Sequence, residues 1–360
     1  MNDMSLILLH DGNAAAMRLG EALASAVPVK GVNVLDGSER GRPLGSGAVV
    51  CFNLATLKKF DIVRKAFSIA PELSVFVVPV FSGEFAPVFR DMGVKDYFVA
   101  PVGADVLWGA VSAARTRGVE ASWQNLPPRE RDALDASRRT FRGLFDGVRN
   151  GGRPDLADLT QTSQALCTMA REASLSHWLS VMRDHHDYTY RHSMFVCGII
   201  VHFAQDMGMT ADDLVLLSSG GMLHDIGKAW IPLRILDKPD RLDAAEIAEM
   251  RKHPGFSRDI LTKVDGLDRR IVAMAVHHHE KLDGTGYPDG LQGDEIDDLV
   301  RLMAIADVYS ALIDERAYKP AMSPEKAFAW MESTRGHLDL DMVGRLKEFV
   351  LDSAPAAATA

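Results

Sequence analysis

HHEKLDGTGYPDGLQGDEI, residues 278–296, is too rich in glycine for a helix or a central strand. Glycines 284, 286, 290 and 293 stand with Pro288 in an irregular loop whose backbone can approach a ligand closely. The loop starts from the adjacent pair His278-His279 and encloses Gly286-Tyr287-Pro288. As plain structure that triplet is a rigid turn. As chemistry, Tyr287 could hold a substrate or shape a wall, and Asp283 could orient a ligand or carry a proton.

Outward from the loop, eleven of the twelve histidines lie between residues 177 and 337. His192, His224 with Asp225, His253, the pair His278-His279 and Asp307 form a set that a metal site would explain. Imidazoles and carboxylates are the usual ligands of divalent first-row transition metals. Two such ions about 3.5–4 Å apart can lower the pKa of water and clamp a phosphodiester for in-line attack. Any one of these histidines alone reads more readily as a cap or a packed polar residue. The weight lies on the set.

The surrounding sequence, residues 155–354, is helical almost throughout. Helices are expected over 155–184, 192–205, 211–224, 244–253, 256–262, 268–277, 299–312, 324–332 and 341–351, with an Ala/Pro-rich frayed tail over 353–360. Residues 119–155 contain Pro127-Pro128, a charged helical stretch over 129–149 and a Gly-Gly-Arg-Pro stop. They form either a connector helix able to self-associate or a solvated spacer. Residues 1–118 alternate strands (5–9, 29–35, 48–52, 73–80, 97–99) with helices (14–26, 57–69, 84–92, 105–115). Continuous apolar strands between helices predict a parallel sheet covered on both faces, a flavodoxin-like doubly wound α/β domain.

LHDIGKAWIP (223–232), ILDKP (235–239) and the 278–296 loop resemble the two signatures of the HD-GYP family. RHS (191–193), RKHP (251–254), AIADVY (304–309) and ERAYK (315–319) follow in that family's order and spacing. The resemblance covers roughly residues 160–350 and implies an all-α HD-superfamily domain over 156–352. It implies metal ligation by His192, His224, Asp225, His253, His278, His279 and Asp307, with Asp225 bridging two divalent ions, iron or else manganese. Tyr188 stands where some members have a glutamate for a third metal, so two ions are expected. His185, seven residues before His192, reads as packed or as a support to the ligands. Asp225 and Lys228 are the implied catalytic residues, and Lys228, Asp283, Gly286, Tyr287, Pro288, Arg316 and Lys319 the implied substrate contacts. The implied activity opens cyclic di-GMP to pGpG, with onward cleavage to GMP open. The alternatives are an inactive nucleotide-sensing scaffold and hydrolysis of another phosphoester, such as a different cyclic dinucleotide. The sequence departs from the family at Ser310, usually Asp, and at His337-Leu338-Asp339-Leu340, usually Phe-Asp-Pro.

The N-terminal pattern resembles a response-regulator receiver. Asn53 stands at the phosphate-accepting aspartate, His10-Asp11 is all that remains of the acidic cluster, and Ala100 replaces the lysine before Pro101. These losses imply a pseudo-receiver that docks a partner, dimerises or restrains the helical domain, or else a structural appendage.

Net charge of −9 argues against a protein that coats DNA or RNA. Cys51, Cys167 and Cys197 read as buried thiols of a reducing compartment. The apolar run 6–9 is too short for a signal peptide or a membrane span, so a cytoplasmic protein is expected.

Overall fold

The computed structural model describes residues 6–24, 29–33, 48–52, 54–57, 69–70, 73–78, 84–183, 185, 187–236, 238, 241–315 and 320–352. The chain divides into two compact units, Met1–Asn125 with Asp184–Asp187, and Leu126–Arg183 with Tyr188–Ala360.

In the first unit, β1 (Leu6–His10), β2 (Val29–Asn33), β3 (Val49–Cys51), β4 (Val75–Val78) and β5 (Asp96–Val99) pair in parallel in the order 2-1-3-4-5. Successive side chains point to opposite faces, and both faces are covered, which is why the strands read as unbroken apolar runs. Leu8, Val49, Cys51, Val75 and Val77 pack against α1 (Ala14–Ala24) and α4 (Ala104–Ser122). Leu9, Val50, Phe76 and Val78 pack against Leu57 of α2 (Leu54–Leu57) and Phe85 and Phe89 of α3 (Phe85–Met92). The expected helix over 57–69 falls mostly outside the described residues, as do the strand ends at 34–35 and 79–80. Helix α4 is longer than the expected 105–115, carrying residue 118 inside a helix. At the end of β1, Asp11 is buried and accepts hydrogen bonds from Thr56 Oγ1 (2.7 Å) and Asn13 Nδ2 (2.6 Å), and the same amide also donates to Cys51 O (3.0 Å).

The second unit is helical. Its first helix, α5 (Pro128–Arg149), corresponds to the 129–149 stretch and is no solvated spacer. Leu134, Phe141, Leu144, Phe145 and Val148 are buried, Ser137 Oγ meets Tyr190 OH at 2.7 Å, and Thr140 meets Thr162 at 2.9 Å. The expected helix 155–184 is two helices, α6 (Leu159–Glu172) and α7 (Leu175–Arg183). Ala173 turns extended between them, and Ser174 Oγ caps the second by accepting from His177 N. Helix α8 (Tyr188–Asp206) runs through the core, with every residue from 192 to 204 buried. Gly198 makes this possible: a Cβ there would come within 2.4 Å of the Trp178 ring, whose Nε1 donates to Met194 O.

After α8 come α9 (Ala211–Leu223), a 3-10 turn (Ile226–Trp230), α10 (Leu233–Leu236), α11 (Ala244–Met250), α12 (His253–Leu261), α13 (Arg269–His277), α14 (Asp298–Ile313), α15 (Pro324–Ser333) and α16 (Leu340–Asp352), of which α9, α14 and α16 pack on α8. The departure at 337–340 leaves the closing helix intact. Leu338 is buried, and Asp339 caps α16 through Asp341 N and Met342 N while pairing with Arg301. All three cysteines are buried and free. Among the described residues no helix is long and apolar enough to cross a membrane.

Candidate metal centre

Helix ends supply most of the site. His192 comes from the first half of α8 and Asp307 from α14, while His253 opens α12 and His278-His279 follow the last turn of α13. His224 caps α9 in helical conformation, and Asp225 then leaves the helical path (φ −102°, ψ 13°), so two consecutive side chains face one point. Their meeting place is the Asp225 carboxylate. Its Oδ2 lies 3.2 Å from His224 Nε2 and 3.6 Å from His192 Nε2. Its Oδ1 lies 3.2 Å from His253 Nε2 and 3.9 Å from His278 Nε2. Asp307 Oδ1 is 3.0 Å from His192 Nε2, and its Oδ2 3.8 Å from His279 Nδ1. All seven expected ligands are thus brought together, six of them buried and His279 half-buried.

The imidazoles are oriented from behind. Nδ1 of His224, His253 and His278 lies 2.8, 2.8 and 3.1 Å from the carbonyls of Gly221, Met250 and Met274. A carbonyl only accepts, so each Nδ1 carries the proton and each Nε2 turns a lone pair inward. Ser310 serves His192 in the same way: its Oγ donates to Asp307 O (2.8 Å) and accepts from His192 Nδ1 (3.2 Å). The inward atoms then face one another as acceptors, His192 and His224 Nε2 at 3.4 Å, His253 and His278 Nε2 at 3.5 Å. Asp225 Oδ1 is buried and accepts no hydrogen bond from any of the described residues.

Converging lone pairs and an unserved buried carboxylate oxygen are unfavourable unless a cation lies between them. The donor set therefore fits divalent metal. Among the described residues, three groups of side chains have ligand atoms close enough to hold an ion: His253, His278 and His279; His192, His224 and Asp307; and His224, Asp225 and His278.

Burial, the largest influence, lowers the pKa of His192 and His278, takes His253 to about 3 and His279 to about 4, and keeps all four neutral and able to ligate at pH 7. For His224 burial is outweighed by Asp225 and Asp307, and its pKa rises. Burial would also raise Asp225, but the Lys228 ammonium beside it holds this carboxyl well below the usual range.

Lys228 Nζ donates to Asp225 Oδ2 across the first turn after His224. Tyr188 stacks on the His192 ring at 5.9 Å. His185 is buried against Trp123, 3.7 Å from Glu120, which is the packed reading. His202 is also a core residue, its two nitrogens on the carbonyls of Gly198 and Ala173.

The 278–296 loop closes over the histidines. Tyr287 N donates to His279 O (3.2 Å) and the Tyr287 ring stacks on the His279 ring at 4.9 Å. Burial raises the Tyr287 pKa, so the phenol remains a neutral donor. Gly286 lies on the chain at Glu280-Lys281, where a Cβ would come within 2.4 Å of Glu280 Cα, so the glycine of the triplet is required by contact. Pro288 follows Tyr287 at an exposed turn. Asp283 is exposed and caps the loop by accepting from Thr285 N and Oγ1 rather than joining the cluster. Arg316 and Lys319 lie outside the described residues.

Sequence reasoning missed Glu280, whose buried carboxylate accepts from the backbone N–H of Asp289, Gly290 and Leu291 at 2.6, 3.0 and 3.1 Å. A charged residue beside two site histidines in a glycine-rich run was the available signal. Arg251, whose guanidinium lies over the Tyr287 ring at 5.2 Å, was also missed.

A family model described as HD domain matches residues 156–342. The chain is 35% identical over 200 residues to cyclic di-GMP phosphodiesterase PA4108 of Pseudomonas aeruginosa, covering 54% of this chain and 48% of that protein. It is 41% identical over 145 residues to 3'3'-cGAMP-specific phosphodiesterase 3 of Vibrio cholerae, covering 40% of this chain and 31% of that one. It therefore spans less than half the length of these two relatives. The fold is similar to that of Bd1817, a HDG"Y"P protein from Bdellovibrio bacteriovorus, at a TM-score of 0.51 and 18% identity, over 68% of this chain and 80% of that one. With the HD sequence, the intact Gly-Tyr-Pro loop and the family match all in the same unit, the chain belongs to the HD domain family, in its HD-GYP group.

Proposed function

We propose that the protein is a metal-dependent phosphodiesterase that hydrolyses cyclic di-GMP to pGpG, with cleavage on to GMP as a possible second step. The carrying observation is the convergence of five imidazoles on two carboxylates, Asp225 and Asp307, with the buried Oδ1 of Asp225 left unserved between His253 and His278. In this reading His192, His224, Asp225, His253, His278, His279 and Asp307 would hold two divalent ions, iron or manganese. When bound, the ions supply the Lewis acidity that activates water and offsets charge on the phosphoryl oxygens. Water adds at phosphorus, the P–O3′ bond breaks, and the proton released by water ends on the ribose 3′ oxygen.

Lys228, held by Asp225, keeps an ammonium beside the reacting phosphate and stabilises its growing charge. Tyr287, with Gly286 and Pro288 setting its loop, walls the site and offers a neutral hydroxyl to the substrate. Asp283 contributes through the loop's shape. Arg316 and Lys319 are proposed phosphate contacts on sequence grounds alone.

The first unit is proposed to be a flavodoxin-like pseudo-receiver, supported by the strand order 2-1-3-4-5. The donors of Asn13 and Thr56 occupy Asp11 where a receiver would use a cation. Asn53 lies outside the described residues; its amide cannot accept a phosphoryl group as a carboxylate does. The unit's role is docking, self-association or restraint of the helical unit, in a cytoplasmic signalling protein.

A second reading, hydrolysis of 3'3'-cGAMP, is favoured by the name of the Vibrio cholerae relative. The test is turnover of both dinucleotides by anaerobically purified protein beside Asp225→Ala. Cyclic di-GMP cleavage that is lost in the variant supports the proposal. Faster cleavage of 3'3'-cGAMP moves the assignment to the second reading, and bound metal without turnover of either makes the protein a scaffold.

A further inference from the structure

We infer that Arg251 is a substrate-recognition residue, a guanidinium held on the Tyr287 ring to take the phosphodiester that is not being cleaved. The inference rests on the proposed hydrolysis of a cyclic dinucleotide and adds to it a second anchoring point. Arg251 is the C-cap that follows α11, two residues before His253, and its Cζ lies 5.2 Å from the centre of the Tyr287 ring. That ring lies 4.9 Å from the His279 ring, so the guanidinium stands one aromatic group out from the metal centre. The cation–π contact locates the guanidinium over the ring, and the exposed side chain leaves its N–H donors available.

Neighbouring cations are differently employed. Lys228 is on Asp225, Lys252 on Glu249, Arg191 on Asp314 and Arg258 on Asp289. Among the described residues no carboxylate pairs with Arg251, although the side chain is exposed. An unneutralised guanidinium beside a site for a dianionic ring fits a phosphodiester. Two parallel N–H donors match its two non-bridging oxygens. A cyclic dinucleotide with one phosphate at the metals presents its other phosphate across the ring, away from the reacting atoms. Arg251 therefore binds without sharing in bond breaking.

The test uses the full metal-loaded chain with Arg251→Ala, Arg251→Gln and Arg251→Lys. KM, kcat and, by calorimetry, Kd for cyclic di-GMP are measured beside bound metal. Arg251→Ala and Arg251→Gln should raise KM and Kd on the order of ten-fold, with metal content unchanged and kcat within about two-fold. Arg251→Lys should recover only part of the loss, because a point charge attracts phosphate but lacks the paired N–H donors. Wild-type affinity in Arg251→Gln would overturn the inference, since N–H donors without charge would then suffice. Unchanged KM and Kd in Arg251→Ala, or loss of its metal, would overturn it equally. If wild-type protein neither binds nor cleaves cyclic di-GMP, the functional reading fails first and this inference with it.

Discussion

An imidazole ligates well when its second nitrogen is fixed, and Ser310 provides this for His192 where backbone carbonyls do so for His224, His253 and His278. Ser310→Ala should cost roughly 10- to 100-fold in metal affinity, read by competition with a calibrated chelator; an unchanged affinity would show that the hydroxyl is dispensable. The seven candidate ligands were legible because their order and spacing resemble a family. Ser310 was not: it registered as a departure, and its contact with His192 spans 118 residues of chain, a distance over which spacing carries no signal. Glu280 was hidden for a related reason, since its partners are backbone N–H groups, which look alike in every sequence.

At the scale of elements, glycines decide which segments can meet. Gly227 carries the 3-10 turn onto α12, where an added Cβ would come within 1.9 Å of His253 O and 2.6 Å of Ser257 N. Both are backbone atoms that cannot swing aside. Gly227→Ala should therefore destabilise by at least about 2 kcal/mol, measured by urea denaturation; a neutral result would mean that α12 shifts freely and that the position of His253 is not fixed there. Glu280→Ala should leave three loop N–H groups unserved, at a cost of about 1–3 kcal/mol for each that stays buried. Hydrogen exchange should then accelerate at 289–291 while the core of α8 stays protected. The helices themselves were legible from periodicity, to within a few residues at most ends. The break at Ala173 and the packing of α5 were missed, because a cap such as Ser174 is one polar residue among many and a charged helix shows its buried stripe only against a partner.

At the scale of the whole molecule, the two units differ in how their polar groups are satisfied. In the first, the buried Asp11 carboxylate, which the proposed pseudo-receiver reading places at the former acidic cluster, accepts from Asn13 and Thr56. Acetyl phosphate with magnesium should therefore leave the intact mass unchanged, and an acid-stable but hydroxylamine-labile adduct would contradict the pseudo-receiver assignment. The parallel sheet was legible because buried parallel strands are apolar throughout; its order was not, since an apolar run does not name its neighbours. The state of Asp11 was only partly legible, as Asn13 drew no notice without its partners.

The second unit collects histidines that burial keeps neutral, against an ordinary value of 6.5. As pH falls below that value the unfolded chain takes up protons first, so their contribution is present near pH 7 and is lost toward the folded values of about 3 for His253 and about 4 for His279. His224, raised, acts in the opposite sense; four groups against one set the direction. Metal-free protein should melt at a lower temperature at pH 5 than at pH 7, and the reverse order would mean that these rings are not buried neutral.

The most direct measurement is metal stoichiometry by mass spectrometry on anaerobically prepared protein and on Asp225→Ala. About two transition-metal ions per chain are predicted in the former and loss of both in the latter, with the helical fold retained by circular dichroism. Full metal retention in Asp225→Ala, or a wild-type chain that cannot be loaded with any ion, would contradict the account.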